Sequence, residues 1–198
     1  MSRLPSAAQI RFIFLDRDGV INRKLPENHY VRTWSDFEIL PGVESAIAAL
    51  NRGGSRVIVI TNQRGVALGF HTLKDVDDIH DRLQSQLAQH GARIDAFYIC
   101  PHDKNQCKCR KPATGLFEQA LRDFPAASAA NTIVIGDSIS DIQAACALGM
   151  PSIFIQGDPT TQKSGSERAA ALANAVFPSL SHAVAHILTD RSEATGPA

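Results

Sequence analysis

The sequence has no surplus of charge of either sign: 20 Lys and Arg stand against 20 Asp and Glu, for a formal net charge of zero. A chain so balanced offers no broad basic footprint for a phosphate backbone or an anionic bilayer, so neither nucleic acid nor membrane is expected as a partner. No apolar run approaches the ~20 residues of a membrane-spanning helix, and the opening MSRLPSAAQI lacks the apolar stretch of a signal peptide. A cytoplasmic location is the expectation. No exposed apolar helix face stands out, so a monomer is expected as well. No GxGxxG follows the first apolar run and there is no Walker-type lysine loop, which sets aside the usual dinucleotide and nucleotide-phosphate readings. Repeats and low-complexity blocks are absent. Cysteine is scarce, yet three of the four, Cys100, Cys107 and Cys109, fall within ten residues. In a reducing compartment that clustering reads as a metal site rather than a disulfide framework.

What is present is organised around residues 11–22, RFIFLDRDGVIN. Phe12, Ile13, Phe14 and Leu15 form a short apolar run of the kind buried on both faces of a parallel sheet. It ends in Asp16-Arg17-Asp18 and a turn glycine, Gly19. Strands of open α/β sheets deliver ligand groups at their carboxyl ends. Two acids there repel each other unless a cation sits between them, and Mg²⁺ prefers such hard oxygen ligands.

Helical and strand patterns alternate along the rest of the chain. The long aperiodic stretch 23–38 reads as a loop with a possible role in function. Helices are expected at 43–51, from the Thr72/Asp75 capping pattern to 89, at 114–124 and at 139–148. Strands are expected at 57–60, 94–100, 132–135 and 151–155. The alanine-rich stretch after 166 and the segment 179–188 read as C-terminal helices. This alternation means right-handed βαβ units and predicts an α/β, three-layer, doubly wound parallel sheet without a cap domain. One domain is expected over 10–189, with a loop inserted at 100–110 and flexible tails at 1–9 and 190–198.

In such a sheet the strand ends share one edge. That edge collects Asp16 and Asp18, Thr61 and Asn62, Arg110 and Lys111, and Asp137 with Asp141. The set suits phosphoryl transfer through an enzyme aspartate. Asp16 would attack phosphorus, while Asp18 would protonate the leaving oxygen and then deprotonate water. Thr61 would hold a phosphate oxygen, and Lys111 would offset carboxylate and phosphate charge. Asp16, Asp18 and Asp137 would hold Mg²⁺, with Asp141 supporting the metal's waters or the lysine. Cys100, His102, Cys107 and Cys109 in a C-x-H-x₄-C-x-C pattern make a closed tetrahedral zinc set with no position for water, hence a structural site that aims Arg110 and Lys111.

DxDGVIN, ITNQ, RKP and GDSISD, in this order and spacing over about 11–156, resemble the motifs of the haloacid dehalogenase superfamily of phosphatases. The resemblance implies a nucleophilic Asp16 and an acid/base Asp18. The superfamily's dehalogenase branch lacks the second Asp. The CxH…CxC loop narrows the resemblance to the subgroup of heptose 1,7-bisphosphate 7-phosphatases and histidinol-phosphate phosphatase domains. His29-Tyr30-Val31 and DFEILPGV are closer to the heptose type, whereas the four-residue spacer between the zinc pairs is closer to the histidinol type. The implied activity is Mg²⁺-dependent removal of the 7-phosphate from a heptose bisphosphate. With no cap, the substrate, a small phosphorylated sugar, would be gripped by loops through Tyr30, Asn62, Gln63, Arg64, Arg110 and Lys111. Histidinol phosphate is the alternative substrate, and a zinc-bearing binding module without catalysis is the alternative of another class. Trp34 is expected to anchor the long loop by packing, Cys146 to be a small buried residue, His71, His80 and His90 to be solvated, and His182 and His186 to lie on a surface helix.

Overall fold

The computed structural model describes residues 9–162 and 164–194, with side chains to 189. Residues 1–8 and 195–198, part of the expected tails, lie outside the described residues. Six strands run in parallel: β1 (Phe12–Leu15), β2 (Arg56–Asn62), β3 (Ala96–Cys100), β4 (Thr132–Gly136), β5 (Ser152–Ile155) and β6 (Ala175–Phe177). Their spatial order is β3-β2-β1-β4-β5-β6. The chain leaves β1 towards one edge and returns at β4 on its other side, so the switch point of the sheet falls between β1 and β4. Both motif-bearing strand ends therefore flank one crevice.

Period-two alternation along β1 sorts its side chains onto two faces. Ile13 and Leu15 pack with α1 (Val43–Arg52), α3 (Leu73–Ala88) and α7 (Leu180–Ala194). Phe12 and Phe14 pack the other way with α4 (Gly115–Asp123) and α5 (Ile139–Ala147). Phe14 meets Phe117 with ring centres 6.0 Å apart. Helices on both faces of the sheet make the three layers. Among the described residues no separate domain is inserted: α2 (Arg64–Ala67) and α3 alone stand between β2 and β3.

The expected Thr72–Asp75 capping box opens α3: the Asp75 carboxylate accepts from Thr72 N at 2.7 Å, and Thr72 Oγ1 accepts from Asp75 N at 3.2 Å. Trp34 packs against the core as expected, stacked on Phe37 at 5.3 Å. His182 is a surface residue near the start of α7, its ring bonded to Ser179 Oγ at 2.8 Å.

Other expectations are corrected. The alanine-rich stretch holds only α6 (Ser166–Leu172) before β6, whose three residues are too few to show a period. The last helix runs to Ala194, beyond the expected 188. Leu73 is exposed at the first position of α3, outside the buried stripe of Val76, Ile79, Leu83 and Leu87. His71 and His80 are buried, not solvated. Val76, Ile79 and Leu83 form the buried face of α3, and His80 occupies the i+4 slot from Val76, where helical spacing turns it inward. Cys146 is exposed, because α5 buries Ile142, Ala144 and Ala145 and directs the next position outward.

Candidate active site

Lys111 ties three strand ends together. Its Nζ, buried, donates to the Ile60 carbonyl of β2 at 2.6 Å, to Asp16 Oδ1 at 2.8 Å and to Asp141 Oδ1 at 2.6 Å. Burial alone would lower its pKa, but the Asp141 and Asp16 carboxylates raise it, so it stays a cation. The backbone of Lys111 is pinned in turn by Asn62, whose Oδ1 accepts from Lys111 N at 3.1 Å and whose Nδ2 donates to Lys111 O at 3.2 Å. Asn62 was expected to face the substrate. Its amide is instead committed to holding the lysine.

Asp16, Asp137 and Asp141 bring carboxylate oxygens within 4.8 Å of one another. Burial first, opposed by Lys111, and then repulsion from Asp141 and Asp137 push the Asp16 pKa up to about 7. With all three ionised, the carboxylates carry one more negative charge than Lys111 and Lys24 together offset. A hard divalent cation suits such a set, with Asp16 and Asp137 as its oxygen ligands. Asp141 is the inner support: Oδ1 meets Lys111, while Oδ2 accepts from Ser138 N at 3.1 Å and from Ser138 Oγ, capping its own helix. Two glycines make the approach possible. A Cβ on Gly19 (φ +92°) would lie 2.2 Å from Asp137 Oδ2, and one on Gly136 would lie 2.3 Å from Asp141 Cβ. Lys24, from the long loop, is buried and paired with Asp137. Nothing in its sequence surroundings singles it out.

Asp18 lies outside that cluster. Its Oδ1 accepts from Arg17 Nη2 at 3.0 Å and Asn22 Nδ2 at 2.9 Å, and its Oδ2 accepts from Arg17 Nη2 at 3.1 Å and Gln63 Nε2 at 3.0 Å. Burial would raise its pKa, but the Arg17 charge and the donors of Asn22, Arg17 and Gln63 outweigh it and hold it down at about 2. The side chain expected to share in binding Mg²⁺ is therefore engaged elsewhere. Gln63, expected at the substrate, is buried and also donates to Thr61 Oγ1 at 2.8 Å. Thr61 itself is fully buried at the end of β2.

Tyr30 stacks on Phe70 with centres 5.2 Å apart. Arg64 forks onto the Asp103 carboxylate, with Nη2 at 3.4 Å from Oδ2. Half-buried Arg110 donates to the His102 carbonyl at 3.3 Å. Arg64 and Arg110 both brace the cysteine loop, and Tyr30 packs on Phe70 and His71. A cleft of about 90 Å³ beside the carboxylates is lined by Gly19, Lys24, Asp137, Gln156 and Gly157. A larger groove of about 240 Å³ lies away from this chemistry, between Arg32–Ser35 and α3.

Cys100, His102, Cys107 and Cys109 converge as expected. Cys109 Sγ lies 3.3 Å from Cys100 Sγ, 3.2 Å from Cys107 Sγ and 3.3 Å from His102 Nδ1. A tetrahedron with Zn–S bonds of ~2.3 Å has edges of roughly 3.8 Å, close to this spacing. Burial and then its two thiol neighbours push Cys109 up to about 12, whereas hydrogen bonds led by that from Cys109 draw Cys107 down to about 7 against burial. Three thiolates cannot coexist here without a cation among them, so the donor set fits zinc.

The residues that sequence reasoning missed are Arg17, Asn22, Lys24 and Ser138. Arg17 carried the one available signal, a long cation held between two acids at a strand end.

Known proteins resemble the chain in sequence and in fold. A family model described as HAD-hydrolase-like matches residues 108–183. A D-glycero-alpha-D-manno-heptose-1,7-bisphosphate 7-phosphatase of Mycobacterium bovis is 47% identical over 134 residues, covering 67% of this chain and 70% of that protein. A D-glycero-beta-D-manno-heptose-1,7-bisphosphate 7-phosphatase of Vibrio cholerae is 36% identical over 178 residues, covering 85% and 91%. The crystal structure of a D,D-heptose 1,7-bisphosphate phosphatase from B. bronchiseptica, complexed with magnesium and phosphate, superimposes with a TM-score of 0.80 at 30% identity, covering 91% of this chain and 99% of that one.

Proposed function

The chain belongs to the HAD-like hydrolase family, among the relatives of the heptose-1,7-bisphosphate 7-phosphatases, and we propose that it removes the 7-phosphate of D-glycero-D-manno-heptose 1,7-bisphosphate. The observation that carries the reading is Lys111 Nζ seated between Asp16 and Asp141, 2.8 and 2.6 Å away, at the switch point of the sheet. A nucleophilic carboxylate is there held in place by a cation, which is what attack on an anionic phosphate needs.

In the first step an Asp16 oxygen bonds to phosphorus as the bond to the substrate's C7 oxygen breaks. Asp18, ionised in the free protein, takes up the proton of the bound phosphate monoanion and passes it to that oxygen. In the second step Asp18 takes a proton from water, the water oxygen bonds to phosphorus, and the Asp16–phosphorus bond breaks to release inorganic phosphate. Thr61 and Lys111 hold phosphoryl oxygens and offset their charge. Asp16 and Asp137 would hold Mg²⁺, supported through Asp141. When bound, that ion neutralises charge on the phosphoryl oxygens. Cys100, His102, Cys107 and Cys109 would hold zinc and fix the loop that bears Lys111.

Of the two anomers, the α form is favoured by the higher identity to the Mycobacterium bovis relative, 47% against 36% for the Vibrio cholerae one. The neutral charge supports a small sugar phosphate over a nucleic-acid end. Among the described residues no helix is long and apolar enough to cross a membrane, and we take the protein to be a cytoplasmic monomer. The test is phosphate release with Mg²⁺ from both heptose bisphosphate anomers, histidinol phosphate, fructose 1,6-bisphosphate and a 3′-phosphorylated oligonucleotide. A kcat/KM for the α-heptose bisphosphate at least ~10²-fold above the rest is expected. A higher value for histidinol phosphate overturns the substrate assignment, and turnover of none overturns the enzyme.

A further inference from the structure

Arg17 is among the most deeply buried charges in the protein, its side chain 1% exposed. An arginine can only donate hydrogen bonds, so its buried N–H groups must each find an acceptor or go unsatisfied. Nη2 serves both oxygens of Asp18 and Gln63 Oε1. Nε has no partner. Nη1 is directed at a single side chain, His80 of α3, whose Nε2 lies 3.4 Å away. Because the arginine supplies the proton, Nε2 must carry the lone pair, which places the ring's own proton on Nδ1.

The imidazole is built to stay that way. It is 4% exposed and stacks on Phe97 of β3 with ring centres 4.1 Å apart and planes 12° from parallel. Burial and then the Arg17 charge, opposed by Asp18, lower its pKa to about 3, so it remains a neutral acceptor at working pH. Phe37 covers one face of the guanidinium, 5.6 Å from Cζ to ring centre. Arg17 is thus fixed on one face by Phe37, on one edge by His80 and on the other by Asp18 and Gln63. If the His80 acceptor is lost, Nη1 joins Nε as a second unsatisfied nitrogen, and the guanidinium must turn to find a partner. The turn would carry Asp18 with it.

We infer that His80 is a positioning residue for the phosphatase reaction, acting through Arg17 to aim the Asp18 carboxylate. The inference rests on the acid/base role given to Asp18 above. It differs from a packing role in a way that two substitutions separate. His80→Phe keeps a ring to stack on Phe97 and removes the acceptor. His80→Gln gives up the ring and keeps an amide oxygen that can accept from Arg17. A packing role predicts that Phe is tolerated and Gln is harmful. Positioning predicts the reverse in kcat.

The expected result for His80→Phe is a kcat about tenfold lower on heptose bisphosphate, with KM within about twofold of wild type, since misplacing a reacting group by ~1 Å has effects of this order or larger. His80→Gln should return kcat to within about threefold of wild type. The deficit of His80→Phe should shrink with p-nitrophenyl phosphate, whose leaving group departs as phenolate and needs no proton from Asp18. A fully active His80→Phe, or a His80→Gln that is the slower of the two, overturns the inference while the Asp18 role stands. Crystal structures of wild type and His80→Phe decide it independently of turnover: a shifted Arg17 and Asp18 are expected, and side chains in unchanged positions refute it. If wild type releases no phosphate from any substrate, the functional reading fails instead, and the crystallographic comparison still settles whether His80 aims Asp18.

Discussion

Asp16 and Asp18 stand two residues apart at the end of one strand and are pushed in opposite directions. Asp16 is raised to about 7 and Asp18 is lowered to about 2. Both side chains are partly buried, 13% and 29% exposed, and burial pushes both pKa values up, so it does not account for the opposite shifts. Company does. Asp16 shares its side of the strand end with two more carboxylates and is opposed by Lys111. Asp18 has only donors around it, with Arg17, Asn22 and Gln63 all turned on its oxygens. The same residue type becomes a group awaiting a cation in one place and a held, ionised group in the other.

The largest effect that tests this division comes from the acids themselves. Asp16→Asn should lower phosphate release by at least ~10⁴-fold with an unchanged circular dichroism spectrum, because no nucleophile remains. Asp18→Asn should lower kcat by ~10²–10⁴-fold while still forming the phosphorylated enzyme from p-nitrophenyl phosphate, visible as a burst followed by a stall. Turnover by a pure, folded Asp16→Asn protein would end the aspartyl-phosphate mechanism. Equal, burst-free inactivity of both variants would erase the division of labour.

Lys111→Met acts on the Asp16 side alone. It should lower kcat by ~10²–10³-fold, since charge offset is lost where the phosphate lands. Removing one partner of a buried ion cluster also costs roughly 3–5 kcal/mol, read by urea unfolding. Lys111→Arg should rescue neither quantity, because a planar fork cannot take the place of one nitrogen that meets Ile60 O, Asp16 and Asp141 together. Wild-type stability in Lys111→Met would show that the acids do not need it.

Zinc removal comes next. A chelated, metal-analysed preparation should lose about tenfold in kcat as the 100–110 loop loosens its hold on Lys111. Mg²⁺ affinity, measured by calorimetry, should stay within about twofold. Full activity without zinc would separate the loop from the site.

The smallest effect is on stability against pH. In Mg²⁺-free buffer Asp16 favours its protonated form in the fold, so its ionisation costs stability as pH rises from about 4 through about 7. Asp18 favours its ionised form, so its contribution is complete above about 4 and is lost as pH falls towards 2. The unfolding free energy, read by urea denaturation, should therefore decline from pH 5 to 7.5 by an amount on the order of a few kcal/mol, at about 1.4 kcal/mol per pKa unit. Mg²⁺ should restore it most at the upper end, where the carboxylate it needs is free of its proton. A flat profile that Mg²⁺ raises equally at both pH values would contradict the raised Asp16.

Much of this was legible in the residues. The apolar runs at 12–15, 57–60, 132–135 and 151–155 announced buried strands because a parallel sheet covered on both faces leaves no polar alternation. Asp16, Lys111, Asp137 and the cysteine–histidine set were legible because local spacing and strand ends carry their chemistry. Asp141 was only half legible, since a helix acid one turn in looks the same whether it meets water or a lysine. Asn62 and Gln63 were expected to contact the substrate, and local spacing could not show the protein partners that their amides find. Both turn inward, Asn62 to the Lys111 backbone and Gln63 to Arg17, Asp18 and Thr61. His80 was placed in solvent although its slot on α3 belongs to the buried stripe.

By itself, then, the sequence determined the alternation of strands and helices, the strand ends that bear chemistry and the four zinc-type ligands, because each depends on neighbours a few residues away. The tertiary structure alone decided that Asp18 turns to Arg17 rather than to the acidic cluster, that Lys24 reaches Asp137, and that His80 closes the far edge of Arg17. The last two contacts join residues 113 and 63 positions apart, and Gln63, which holds Asp18 beside Arg17, comes from 45 positions away; all depend on β1 lying between β2 and β4 with α3 packed across it. Local pattern sets which groups the chain can offer. The free energy of burying a charge, which must find its partners wherever the fold puts them, sets what those groups do.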